Sequence, residues 1–133
     1  MIHGNCLCGA VAYEAQSLAG PIIHCHCRTC QKAHSAAFAT TARVARDAFR
    51  WTAGAEIRSA YASSPGKLRH FCTRCGSHII SEWTNQPWVI LRIASVESGV
   101  AQMPDCHIWV SHQAAWDLGR DDLPRYEEGR PPG

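Results

Sequence analysis

Seven of the eight cysteines in this 133-residue chain fall into three tight groups: Cys6-x-Cys8, Cys25-x-Cys27-x-x-Cys30 and Cys72-x-x-Cys75. In Cys-x-x-Cys the backbone turns so that both sulfurs face one point, and Gly76 after the second cysteine relaxes that turn. In Cys-x-Cys the two side chains share a side only across a bulge or turn, for which Gly4 and Gly9 supply the backbone freedom. Thiolates at such separations match tetrahedral zinc, with Zn–S near ~2.3 Å. The two paired groups together offer four thiolates, enough to close a structural site, and the central group offers three. Three ligands and one open position is the pattern of a catalytic zinc. Spacing alone leaves two alternatives open: Cys106 could fill that position, or Cys6 and Cys8 could join the central group instead.

Three thiolates on Zn²⁺ leave a formal charge of about −1, a softer and less Lewis-acidic centre than three histidines would make. Such a centre favours a further thiolate over strongly activated water. A small thiol entering there loses its proton and becomes a nucleophile. Chemistry of that kind calls for a side chain nearby that can take or give a proton. His24 and His26 flank Cys25, and His34 follows Cys30 by one helical turn, so all three qualify by proximity; His26 is carried forward as the candidate acid or base. Against this, His24 and His26 alternate with Cys25 and Cys27, so in a regular strand they point away from the metal and simply pack. His107 and His112 read as surface groups or as supports behind the ligands. Trp51, Trp83, Trp88, Trp109 and Trp116 read as core, and Arg28 and Arg74 as solvated donors that soften the charge of the cysteine loops.

The elements that must carry these groups are short strands broken by Gly, Pro and Ser. Strands are expected from near Gly9 through Val11 and Tyr13, and over Ile22 to Cys25, Phe38 to Val44, Ile57 to Tyr61, Leu68 to Phe71, Ile79 to Trp83 and Trp88 to Ala94. Helical signal is thin: single turns at Thr29 to Ala33, Ala45 to Phe49 and Gln113 to Leu118. The expected class is all-β with a few short helical turns. Residues 1–127 read as one zinc-binding domain and 128–133 as a flexible tail, with fraying expected from Arg125 onward.

The composition narrows the function. A net charge of +2, with the basic residues scattered, gives no footprint for nucleic acid or a membrane surface. No apolar run exceeds four residues, so no membrane span is expected. Met1 to Cys6 lacks the features of a secretory signal, so the cysteines are expected reduced and metal-bound, in the cytoplasm.

At four places the chain resembles one family. Gly4-Asn5-Cys6-Leu7-Cys8-Gly9-Ala10-Val11, Cys25-His26-Cys27-Arg28-Thr29-Cys30-Gln31-Lys32 and Phe71-Cys72-Thr73-Arg74-Cys75-Gly76 are similar to motifs of the glutathione-dependent formaldehyde-activating enzymes, a family that includes centromere protein V. The stretch from Met103 through Asp121-Asp122-Leu123-Pro124 to Glu127 is similar to its closing motif. The resemblance implies a β-tent of two small antiparallel sheets. It implies two zinc ions per chain: a structural one on Cys6, Cys8, Cys72 and Cys75, and a catalytic one on Cys25, Cys27 and Cys30. The implied activity is that of a carbon–sulfur lyase in formaldehyde detoxification, joining glutathione as co-substrate to formaldehyde as S-hydroxymethylglutathione. The given chain is shorter than the founding enzymes, so segments that surround glutathione there are expected to be missing here. The rival reading is a non-enzymatic zinc module, structural or interacting, with both sites closed.

Overall fold

Burial in this chain alternates with a period of two. In β1 (Ile2–Asn5) Ile2 and Gly4 are buried while His3 is exposed, and in β2 (Ala12–Ala15) Tyr13 and Ala15 turn inward. That alternation is what a strand with one covered face requires. The computed structural model, which describes residues 1–119 and 121–132, is accordingly mostly β with a few short helices. Its backbone divides into two compact units: Met1–Gly20 with Ala42–Ala101, and Pro21–Thr41 with Gln102–Gly133. β4 (Ala39–Ala45) begins in the second unit and ends in the first.

The first unit holds β1, β2, β5 (Phe49–Ala53), β6 (Arg58–Ser64), β7 (Lys67–Cys72), β8 (His78–Trp83), β9 (Trp88–Arg92) and β10 (Val96–Ser98). One antiparallel sheet runs β10-β1-β2-β5; the other strands follow the order β4-β9-β8-β7-β6. Ile2, Val11, Tyr13, Ile79, Ile80 and Leu91 form the core of the unit, and Cys6 and Cys72 are buried in the same cluster. The metal-type cysteines here are thus continuous with the apolar core. Tyr13 stacks on Phe49 and shares a hydrogen bond of 2.8 Å with the Ser95 hydroxyl, directly over Gly4. A Cβ on Gly4 would collide with the Tyr13 hydroxyl and lie 2.5 Å from the Ser95 carbonyl oxygen. Gly4→Ala should therefore destabilise the chain by roughly 1–3 kcal/mol, the cost of an overpacked core. Thermal unfolding checks this; an unchanged midpoint would mean that Tyr13 can swing aside freely.

In the second unit β3 (Ile22–Cys25) pairs antiparallel with the start of β4, Cys25 opposite Ala39. On its other edge β3 pairs parallel with β11 (Pro104–Ile108), placing His107 beside His24 and Ile108 beside Cys25. This pairing departs from the antiparallel expectation. A parallel partner needs a long crossover, and here it comes from the far end of the chain. β3 leads into the helix α1 (Arg28–His34), where the Cys27 sulfur caps the N-terminus by accepting from the Cys30 amide at 3.3 Å. α1 ends at Ser35 in the left-handed conformation, φ 48°.

Several expectations are corrected. No helix forms over Gln113 to Leu118: a 3-10 turn spans Val110–His112, and the Asp117 carboxylate then accepts from the Gly119 amide at 3.1 Å, a local bond that competes with helix. Arg125 to Glu128 do not fray: the His107 carbonyl accepts from the Tyr126 amide at 3.1 Å, and the Glu128 carbonyl from the Trp109 amide at 2.9 Å. Trp83 and Trp116 are exposed and not core, the Trp83 ring instead receiving the Lys67 ammonium at 5.0 Å. Among the described residues no helix is long and apolar enough to cross a membrane.

Candidate metal centres

The first unit brings Cys6, Cys8, Cys72 and Cys75 together, their sulfurs all within 4.8 Å of one another. A turn after β1 presents the first pair: the Cys6 carbonyl accepts from the Gly9 amide and the Cys6 amide donates to the Val11 carbonyl, both at 2.9 Å. The end of β7 presents the second pair in a knuckle closed by the Gly76 amide on the Cys72 carbonyl at 2.8 Å, with Gly76 at φ 80°. The Ser77 hydroxyl accepts from the Leu7 amide at 2.9 Å and so ties the two turns together. Cys6 and Cys8 sulfurs lie 3.6 Å apart, and Cys8 and Cys72 sulfurs 3.8 Å. Ligands at ~2.3 Å from a tetrahedral zinc stand about 3.8 Å from each other, so this cage fits that ion. The donors around it favour thiolate: the Val11 amide points at the Cys6 sulfur from 3.3 Å, and the Ser77 hydroxyl, 3.3 Å from Cys75, pulls that thiol down to about 5.

The second unit gathers Cys25, Cys27 and Cys30, again with all sulfurs within 4.8 Å. Cys25 ends β3, Cys27 caps α1 and Cys30 lies in its first turn. Cys25 and Cys30 are buried and Cys27 is half-buried. The neighbouring Cys27 and Cys30 sulfurs, followed by burial, push the Cys25 thiol far up. Three adjacent thiolates repel one another unless a cation sits among them, so this donor set also fits a metal ion. Cys106 belongs to neither group: it is buried in β11 opposite Ile23, its thiol pushed up by desolvation.

Histidines surround the β3–α1 junction. The His26 amide donates to the Ile108 carbonyl at 3.0 Å, and Gln31 Nε2 donates to the His26 carbonyl at 2.7 Å and the His112 carbonyl at 2.8 Å. The His26 ring is buried, and its Nε2 lies 2.7 Å from His107 Nδ1. His107 Nε2 in turn meets both Asp121 carboxylate oxygens, at 2.8 and 3.0 Å. Burial, then the charge of His107, lowers the His26 imidazole to about 4, and the His107 ring N–H holds Asp121 below the usual carboxylate range. His24 does what strand alternation predicts for it: it packs edge-on against Phe38 and bonds the Thr40 hydroxyl at 2.9 Å. His34 closes the last turn of α1.

The sequence profile of the glutathione-dependent formaldehyde-activating enzymes matches residues 1–112, a span that contains both sulfur groups. The chain belongs to this family. A crystal structure of a Rhodobacter sphaeroides protein, a structural genomics target, shares the fold, with 24% identity, a TM-score of 0.64 and coverage of 92% of this chain and 98% of that one. No curated protein matches the chain.

For this member of the formaldehyde-activating family, sequence reasoning left Asp121 and Gln31 without a role and His107 with two readings. His107 is buried, 4% exposed, and linked to both His26 and Asp121, so of those two readings it is the support behind the cysteine group and not the surface group. Asp121 lies within the closing motif, which was the one available signal, but no spacing rule ties it to a histidine on another strand. Gln31 is buried, with two carbonyl partners, and the exposed Arg28 donates to its Oε1 at 3.1 Å.

Proposed function

We propose that this chain is a zinc-dependent carbon–sulfur lyase that reversibly joins a small thiol and an aldehyde, with glutathione and formaldehyde as the leading pair. Cys6, Cys8, Cys72 and Cys75 would hold a structural zinc, and Cys25, Cys27 and Cys30 a second zinc with a position left for substrate. The observation that carries this reading is the three-sulfur group at the end of β3, with Cys106 outside it. A zinc ion there would supply the positive charge that keeps an entering thiol ionised near neutral pH. In adduct cleavage the hydroxyl oxygen gives up its proton, its electrons form the carbonyl, and the carbon–sulfur bond breaks with the pair leaving on sulfur. His26, adjoining both Cys25 and Cys27 in the chain, is the candidate acceptor of that proton and its donor in the reverse direction. The small net charge and the scattered basic residues support small-molecule partners and no nucleic acid or membrane partner, and metal-type spacing of the cysteines is the kind of cysteine usage that goes with a reducing, cytoplasmic location.

Zinc content and the zinc-edge X-ray absorption spectrum test this directly. Two zinc ions per chain are expected, with the average sulfur number near ~3.5 alone and rising toward ~4 with excess glutathione. Two sites already at four sulfurs and indifferent to glutathione would instead establish the non-enzymatic zinc module.

A further inference from the structure

Three basic side chains are buried on one face of the strands β7 to β9. Lys67, Arg69 and Arg92 are only 8%, 6% and 6% exposed. Register sets Lys67 opposite Trp83, Arg69 opposite Ser81 and Ser81 opposite Ile90, and Arg92 lies two residues beyond Ile90, so all three cations share the face of Ser81. The strands β6 to β9 carry a single acid, Glu82, which lies opposite Leu68 and Val89 on the other face and accepts from Arg46 Nη1 at 3.2 Å. Arg69 Nε donates to the Ser63 hydroxyl at 2.9 Å. Its Nη1 is buried with no hydrogen-bond partner among the described residues, and no carboxylate pairs with it there. Directly opposite, the hydroxyl of the fully buried Ser81 has no partner among them either. Burial, followed by the charges of Arg92 and then Arg69, lowers the His78 imidazole, so both guanidinium fields reach that ring.

We propose that Arg69 and Ser81 form a binding site for an oxyanion group, the carboxylate or phosphate of a small ligand. A guanidinium is always charged and only donates, and burying it is costly unless an acceptor of opposite charge meets it. Ser81 adds a second donor at the same register position, and cross-strand neighbours stand ~5 Å apart at Cβ, close enough for one oxyanion to take both. Ser63 holds the guanidinium by Nε, which orients its plane and leaves the Nη edge to the ligand. A neutral ligand would leave the charge uncompensated, and a cationic one would add a fourth positive group to the face. β6 is the last strand of its sheet, and Tyr61, directly opposite Arg69 on it, is exposed, so the guanidinium lies one strand in from solvent. The site uses none of the cysteines and does not rest on the lyase reading.

Calorimetric titration of the full zinc-loaded chain in chloride buffer at constant ionic strength tests this, with inorganic phosphate and S-methylglutathione as the probes. The second probe carries carboxylates but has no free thiol to offer a zinc ion. The wild type should bind at least one of the two saturably, at one per chain. Ser81→Ala should weaken that binding roughly tenfold and Arg69→Gln roughly a hundredfold, both with unchanged zinc content. Ser81→Ala removes one hydroxyl that bonds nothing else described, so it folds as the wild type does and decides the matter if Arg69→Gln does not fold. S-methylglutathione that displaces phosphate, or binds where phosphate does not, makes the group the carboxylate of a larger ligand. Phosphate that it cannot displace makes the ligand a phosphate-type ion. Wild type that binds neither probe overturns the proposal. So does a probe held equally well by wild type and Ser81→Ala, because it then sits elsewhere, a zinc position included.

Discussion

Cys72→Ser should leave the chain unable to hold its native fold at 25 °C. Cys72 is completely buried, shares the core cluster with Ile79 and Leu91, and its sulfur stands 3.8 Å from that of Cys8. A serine hydroxyl is not ionised at neutral pH, so the cage would lose a ligand and a buried polar group would be stranded in the core. Structural zinc contributes about 10–16 kcal/mol of apparent binding free energy in small zinc domains. A whole domain is stable by only about 5–15 kcal/mol. Loss of even part of the first figure exceeds what the apolar core of this small unit can offset. Near-UV circular dichroism and thermal unfolding read the result, and a strong chelator acting on the wild type should reproduce it. A Cys72→Ser protein that melts cooperatively within about 5 °C of wild type, a shift worth only ~1 kcal/mol, would show that burial alone holds the unit.

Cys27→Ser should have the opposite profile: a folded protein carrying one zinc and almost no turnover. Cys27 is the half-buried member of its group and caps α1 through its sulfur. Serine is among the best N-cap residues, so the helix start survives the exchange. What is lost is one of only three ligands at the site proposed to bind the thiol. Metal charge stabilisation is worth several kcal/mol in the transition state, and each ~1.4 kcal/mol is tenfold in rate. Turnover should fall roughly a thousandfold or more. The simple adduct forms spontaneously, so the rate must be measured against an enzyme-free background, for example by exchange spectroscopy on a labelled thiol–aldehyde adduct. Turnover equal to wild type would remove this site from the chemistry.

Together the two cysteines separate roles that look alike in the sequence. Both sit in a Cys-x-x-Cys spacing next to a turn. Cys72 is embedded in a large apolar cluster, whereas the Cys25 group is backed by a small one built on Ala39, Ile108 and Trp109. A metal in the first arrangement would be coupled to folding, and one in the second would be free to serve something else.

Local rules made much of this protein legible. Alternating apolar residues, turn residues and short apolar runs identify a β-rich chain with a few short helical turns, that of Thr29 to Ala33 among them, because strand alternation and turn signals depend on neighbours a few residues apart. The cysteine groups were equally plain, since Cys-x-Cys and Cys-x-x-Cys encode metal geometry within a single turn. Four strands left no such mark: β1, β5, β10 and β11 are short, and β11 in particular, Pro-Asp-Cys-His-Ile, has a composition that would serve a loop as well. It is a strand because β3 offers it an edge. Which pair joins which group, where Cys106 lies and that His107 stands between His26 and Asp121 are all matters of contact between residues far apart in sequence. The parallel pairing of β11 with β3 brings His107 beside His24 and keeps Cys106 opposite Ile23. Residue types and spacing therefore determined the chemistry this chain can do, because ligand type and turn geometry are local. Tertiary structure alone decided which sulfurs come together and which side chains stand behind them, because those depend on strand register, and register is set by packing across the whole unit.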